Sequence, residues 1–228
     1  ITNISYAHIK NFKNLWGVAQ AKSEIINNIS KDGYIILNAD DNFFSFFKSK
    51  SIKKKLRIVT FGIKKKSDVS LINIKKEKYL SVIYINFNKK KLKFIVKKNL
   101  ENYIYNILST LAVISIYFDL EKLDKFFFND YQFPEGRGDL NSVKYNKKKI
   151  NLIDESYNSN PLSLKFALNK LNNLNTKSKR KLILLGDMLE LGKYSKKLHS
   201  EAAQYINDTK IDRVYVYGKE VTETFNKI

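Results

Sequence analysis

The chain has 228 residues, 43% of them hydrophobic and 28% charged, which is enough apolar material for one large domain or two small ones and excludes full disorder. It has no cysteine, so a disulfide framework, a thiol nucleophile and a cysteine-based zinc or iron site are excluded, and a reducing compartment suits it. The formal charge is +20, from 42 Lys+Arg against 22 Asp+Glu, a balance that raises nucleic acid as a partner. The excess is nearly all lysine, alongside abundant Asn, Ile, Phe and Tyr and only 8 Gly and 2 Pro. These are the residues that A/T-rich codons specify, and runs such as Lys53 to Lys55, Lys64 to Lys66, Lys89 to Lys91 and Lys147 to Lys149 sit at expected turns. Solvated faces explain such runs. No nucleic-acid partner is therefore expected, with a basic nucleic-acid-binding module kept as the alternative. No stretch approaches the roughly 20 apolar residues of a membrane span, and the first residues resemble neither a signal nor a transit peptide. A soluble, unexported protein is expected. The first residue is Ile1 rather than Met, so an internal piece of a longer polypeptide is expected.

Taken in chain order, Ile1 to Ile4 reads as the end of a strand. Leu15, Val18, Ala19, Ile25, Ile26 and Ile29 follow at helical spacing. Tyr34 to Leu37 is a short apolar run suited to a buried strand, and Asp40 and Asp41 are capping residues for a helix over Phe43 to Phe47. From Leu56 to Val96 the pattern is strand-like, alternating over Tyr79 to Phe87 and Lys91 to Val96 with Lys-rich turns between. Leu100 to Phe118 predicts a long buried helix and Leu120 to Phe128 a shorter one.

Tyr131 to Asp139 contains Pro134, Gly136, Arg137 and Gly138 and reads as a linker or hinge, which puts a domain boundary near Leu140. After it come a hairpin (Ser142 to Tyr145, Ile150 to Ile153), a helix from Pro161, a strand Lys181 to Leu185, a helix Ser195 to Ile206 and a strand Arg213 to Tyr217. Strands alternating with helices predict an α/β fold with a parallel sheet. In such sheets ligands bind beyond the carboxyl ends of strands, which directs attention to the loops after Ile153, Leu185 and Tyr217.

Those loops and two earlier segments carry specific sequence. Ile1-Thr2-Asn3-Ile4-Ser5-Tyr6-Ala7-His8 delivers an imidazole at a strand end, and Ala21-Lys22-Ser23-Glu24-Ile25 puts a lysine in an amphipathic helix. Glu135-Gly136-Arg137-Gly138 forms the linker, Asp154-Glu155-Ser156-Tyr157-Asn158-Ser159-Asn160-Pro161 joins a strand to a helix, and Leu185-Gly186-Asp187-Met188-Leu189-Glu190-Leu191-Gly192 follows a strand. In this order the segments resemble the Mur ligase family across nearly the whole chain. The Gly-Asp-Met-x-Glu-Leu-Gly and Tyr-Asn-x-Asn-Pro forms point to the member that adds a D-alanyl-D-alanine dipeptide.

The resemblance implies the latter part of a central ATPase domain over 1–139 and the first part of a Rossmann-like C-terminal domain over 140–228. It implies an ATP-dependent amide ligase of peptidoglycan precursor synthesis, cytoplasmic and monomeric, acting on UDP-N-acetylmuramoyl-tripeptide and D-alanyl-D-alanine through an acyl phosphate. Siblings in the family, or a folylpolyglutamate synthetase-like enzyme, are the nearer alternatives. No Gly-x-x-x-x-Gly-Lys-Ser/Thr loop occurs, so the cradle for the ATP phosphates is missing. That loop is expected upstream of Ile1, and these residues alone are expected to be inactive.

His8 matches the family's magnesium ligand, although alone it reads as a histidine closing a strand. Lys22 matches the lysine that reacts with CO₂ to give a carbamate, an oxygen donor suited to Mg²⁺; alone it is one solvated lysine among many. Asn106 matches an adenine-contacting asparagine, with an ordinary helix-surface amide as the alternative; Asn102 and Tyr103 depart from the family's usual His-Asn. Arg137 is implied at the nucleotide phosphates, where a planar fork fits phosphate oxygens. Asp154 is implied at the ATP ribose, or else caps the following helix. Tyr157, Asn158 and Asn160 are implied to line the nucleotide cleft. Asp187 and Glu190 are implied on the side that receives the dipeptide, though helix-terminus acids would look the same.

Overall fold

The computed structural model describes residues 1–98, 100–174 and 180–228. They form two compact units, one of Ile1–Ile4 with Trp16–Tyr131 and one of Ser5–Leu15 with Gln132–Ile228. Among the described residues no helix is long and apolar enough to cross a membrane.

The first unit is a five-stranded mixed sheet in the order β1 (Tyr34–Asn38), β2 (Arg57–Gly62), β3 (Val69–Lys76), β4 (Leu80–Phe87), β5 (Lys90–Lys97). The first three strands run parallel and the last three form an antiparallel meander. The Ile1–Ile4 segment expected to be a strand is extended without joining the ladder; the Ile1 nitrogen donates to the Ile36 carbonyl, and the Asn38 N–H donates to the Ile1 carbonyl. Helices α1 (Leu15–Ser23), α2 (Ile25–Asn28) and α3 (Phe44–Lys53) close one core over Ala19, Ile26, Ile35, Leu37, Phe47 and Leu56. The expected single helix over Leu15 to Ile29 is broken at Glu24. α4 (Ile104–Ile114) packs on β1, β2 and β3 and buries Ile107, Leu108, Leu111 and Ala112. Each such side chain contributes about 1.5–3 kcal/mol for its larger members. The stretch Leu120 to Phe128, expected as a helix, holds a single 3-10 turn at Leu120–Lys122.

The second unit begins with the hairpin of β6 (Asp139–Tyr145) and β7 (Lys148–Asp154). Its tip residues Asn146 and Lys147 both have positive φ, the backbone of a two-residue primed turn. α5 (Pro161–Asn173) follows; then β8 (Leu182–Gly186), α6 (Ser195–Asn207) and β9 (Arg213–Tyr217) make a strand–helix–strand unit with the two strands parallel. α7 (Thr222–Phe225) ends the chain's regular structure and packs on α6.

Candidate active site

The turn at Gly136–Arg137–Gly138 is the organising feature of the second unit's site. Gly136 has φ +70, and a β-carbon there would stand 3.1 Å from the Tyr157 nitrogen; only glycine adopts this backbone at this approach without strain. The Tyr157 N–H donates to the Gly136 carbonyl at 3.1 Å and the Gly138 N–H donates to the Asp154 carbonyl at 2.6 Å. The main chain is thus pinned to the β7–α5 loop on both sides of Arg137. The guanidinium lies over the Tyr157 ring, 4.0 Å from its centroid, a stacked cation–π contact. Asp154, the last residue of β7, accepts from the Ser156 N–H at 2.9 Å, and Ser156 holds the Asp154 carboxyl below its ordinary range. Arg137, Asp154 and Tyr157, distant in sequence, are therefore neighbours.

The N-cap of α5 is Asn160, whose Oδ1 accepts from the N–H groups of Leu162 and Ser163 while the Ser163 hydroxyl accepts from the Asn160 N–H, a complete capping box. The helix-capping alternative for Asp154 is thereby removed. Asn160's carbonyl oxygen is engaged in the cap, and Asn158 is exposed.

Two residues here escaped sequence reasoning. Lys170, on α5, is buried, and its ammonium donates to the Gly138 carbonyl at 2.8 Å and pairs with Glu155 at 3.4 Å. Burial pulls the Lys170 ammonium down and pushes the Glu155 carboxyl up, each partly offset by the other's charge. In so lysine-rich a chain, nothing separated Lys170 from its solvated neighbours.

The segment Ser5–Leu15 belongs to the same unit. The His8 Nδ1 is hydrogen-bonded to the Glu190 carboxylate, the Lys10 N–H donates to the Glu190 carbonyl at 2.8 Å, and the Tyr194 hydroxyl donates to the Lys13 carbonyl at 2.6 Å. His8 and Glu190 are both exposed and both have left-handed backbones, φ 58 and 61. Asp187 faces inward: its carboxylate accepts from the N–H groups of Val221 at 2.7 Å and Lys219 at 3.2 Å. It occupies the space beside Gly218, where a β-carbon would come within 2.3 Å of Oδ1.

Fully buried His199 holds the loop between them. Its Nε2 accepts from the Met188 N–H at 3.0 Å, so the ring proton sits on Nδ1 and is donated to the Ser195 carbonyl at 2.9 Å. The signal for it was present: His199, Ala202, Ala203 and Ile206 share one apolar helical face.

In the first unit the Lys22 ammonium donates to the Asn3 carbonyl at 3.0 Å and is exposed. The side chain of Asn106 is exposed on α4. Its neighbour Tyr105 is committed inward, donating its hydroxyl to Asp40 at 3.0 Å. Asp40 also accepts from the N–H groups of Ile63, Lys64 and Lys65. It is not a cap of α3, which has no side-chain cap at all; Asp41 instead accepts from the N–H groups of Phe43 and Ile4.

Residues 1–114 match the Mur ligase middle domain and 140–227 the Mur ligase glutamate ligase domain. The chain belongs to the Mur ligase family. A UDP-N-acetylmuramoyl-tripeptide--D-alanyl-D-alanine ligase of Rickettsia prowazekii is 31% identical over 96% of this chain and 47% of its own length. The Mur ligase fold of the chain matches a crystal structure of MurF from Acinetobacter baumannii, with a TM-score of 0.84 and 23% identity over 100% of this chain and 48% of that one. It matches MurF ligase from Thermotoga maritima in complex with ADP with a TM-score of 0.76 and 22% identity, over 97% and 49% of the two chains. The chain spans about half the length of the curated relatives it matches.

Mur ligases are ATP-dependent, and the resemblance implies a magnesium ion, whose needs the residues present either meet or do not. Mg²⁺ takes oxygen-rich ligation and commonly keeps waters and substrate phosphates alongside one or two protein ligands. His8 fits a ligand role, because Glu190 anchors Nδ1 and leaves Nε2 exposed, the arrangement that orients metal-binding histidines. Lys22 fits only as a carbamate, since an ammonium offers no lone pair to a cation.

Proposed function

We propose that this chain is the portion of an ATP-dependent ligase, running from the later central domain (1–139) into the C-terminal domain (140–228), that handles nucleotide and incoming amine. In this reading the enzyme joins D-alanyl-D-alanine to UDP-N-acetylmuramoyl-tripeptide, in the cytoplasm and as a monomer. The observation that carries it is the assembly of Arg137, Asp154 and Tyr157 around one glycine-framed turn, in a chain whose relatives bear that name.

The reaction has two displacements. A terminal carboxylate oxygen of the tripeptide attacks the γ-phosphorus of ATP, ADP leaves, and an acyl phosphate forms. The amine of D-alanyl-D-alanine then attacks the acyl carbon; the tetrahedral adduct expels phosphate, the nitrogen loses a proton, and an amide remains. Both steps crowd negative charge on phosphate oxygens, so fixed donors that need no reorganisation lower the barrier. The planar fork of Arg137, already turned by Tyr157, meets such oxygens in a bidentate manner. Asp154, whose carboxylate is held by Ser156, suits a ribose hydroxyl, and the exposed amide of Asn106 suits an adenine edge. Tyr157 and Asn158 border the nucleotide, and Glu190 faces the dipeptide side while orienting His8. Asp187 and Asn160 act by shaping the loops that carry these groups. His8 and a carbamate at Lys22 are each of the chemistry that would hold Mg²⁺, which supplies neutralisation of phosphate oxygens when bound.

The test is turnover of the full-length protein. ADP and phosphate are expected only when both the UDP-linked tripeptide and D-alanyl-D-alanine are present. Equal turnover with a single amino acid in place of the dipeptide transfers the assignment to a sibling ligase.

A further inference from the structure

Lys170 is a lysine that the reaction itself does not call for. Its side chain is only 5% exposed, and a buried ammonium is retained against its desolvation only where its hydrogen bonds are well made. One of them, at 2.8 Å, goes to the carbonyl of Gly138 and not to a carboxylate. Another, to Glu155 at 3.4 Å, reaches the loop that carries Asp154 and Tyr157. The aliphatic stem rises from α5, whose first turn is fixed by the Asn160–Ser163 capping box at the far end of that same loop. One rigid helix therefore holds both partners of the Arg137 turn. Two main-chain bonds flank Arg137, Tyr157 N–H to Gly136 and Gly138 N–H to Asp154; Lys170 fixes the Gly138 carbonyl on the outer side of the second.

We propose that Lys170 is a positioning residue for nucleotide recognition, its buried ammonium locking the Gly138 carbonyl so that the turn aims the Arg137 guanidinium. The proposal rests on the nucleotide role given to Arg137 above and goes beyond it in assigning the support of that arginine to a side chain on α5. A lysine present merely to fill space would be replaceable by an apolar side chain of the same length. A lysine acting through Arg137 has no effect on nucleotide once Arg137 is gone. Non-additivity separates the two, because residues that act as one unit do not sum.

The experiment is equilibrium binding of ADP to the full-length protein for wild type, Lys170→Met, Arg137→Ala and the double variant, with thermal unfolding recorded for each. Lys170→Met and Arg137→Ala are each expected to weaken ADP binding by roughly 10- to 100-fold, the scale of a small misplacement of a binding group. The double variant is expected to bind no more weakly than Arg137→Ala alone. Wild-type affinity in Lys170→Met, or losses that multiply in the double variant, overturns the proposal. Unchanged affinity in Arg137→Ala removes the nucleotide role of Arg137 itself, a different failure. If Lys170→Met does not fold, Lys170→Gln replaces it, and a lowered melting temperature with full ADP affinity in that variant also overturns the proposal.

Discussion

Asp40 accepts three successive main-chain N–H groups and the Tyr105 hydroxyl. Burial pushes the Asp40 carboxyl up, but those donors outweigh it and hold it below the ordinary value. Burial, joined by the bond to Asp40, pushes the Tyr105 hydroxyl up to about 12. For Tyr105 the folded chain binds the proton more tightly than the unfolded chain. Its contribution is complete below the ordinary tyrosine pKa of about 10 and is lost as pH rises from there through about 12. For Asp40 the sign is opposite: its contribution is present above the ordinary carboxylate value and fades as pH falls below it. Urea unfolding between pH 8 and 12 should show a decline in wild type that is shallower in Tyr105→Phe; identical slopes would remove Tyr105 from the pH response. At neutral pH Tyr105→Phe should cost about 1 kcal/mol, the usual worth of one hydrogen bond. The sequence indicated a role for Asp40 but not its partners, because an aspartate after a strand looks alike whether it caps the next helix or reaches across to another loop. The same ambiguity covered Asp154, and it was resolved by Asn160, whose side chain meets the first free N–H groups of α5.

Among the elements, those set by local chemistry were the legible ones. Alternation marked β4 and β5, the Asn146-Lys147 pair sits at the hairpin tip, and Pro161 opened α5. The stretch Leu120 to Phe128 was not legible. Its apolar residues have helical spacing, yet Asp119 and Asp124 accept from the N–H groups of Glu121 and Phe126, a local bonding that competes with helix propagation. Its aromatic end is drawn to the sheet, with the Phe128 ring 6.0 Å from that of Phe94. The capping box of α5 gives a prediction at this scale. Asn160→Ala should destabilise the protein by about 1 kcal/mol. Adding Ser163→Ala should cost less than its single effect, since the two side chains serve one motif. Calorimetric unfolding of the two single variants and the double reads both quantities; full additivity would mean that the box is not cooperative.

At the scale of the whole molecule, the second unit is discontinuous in sequence: Ser5–Leu15 belongs with Gln132–Ile228, and the intervening Trp16–Tyr131 belongs with the first. The composition-based boundary near Leu140 could not reveal this, because no change of texture marks an eleven-residue excursion whose partners lie beyond residue 185. Residues 132–228 produced alone should melt lower than the same unit in the intact chain. A synthetic peptide of residues 5–15 should raise that midpoint by mass action. No rise at saturating peptide would mean that the segment adds nothing to the unit. The arrangement also has a timetable. His8 and Glu190 are 182 positions apart, and a ribosome adding roughly 5–20 residues per second needs roughly 10–40 s to deliver the second after the first. For that interval Ile9, which is buried in the finished fold, and the aromatic rings beside it have no partner to receive them. The stretch carrying His8 thus leaves the ribosome well before the residues it packs on and must wait for them before its contacts can form.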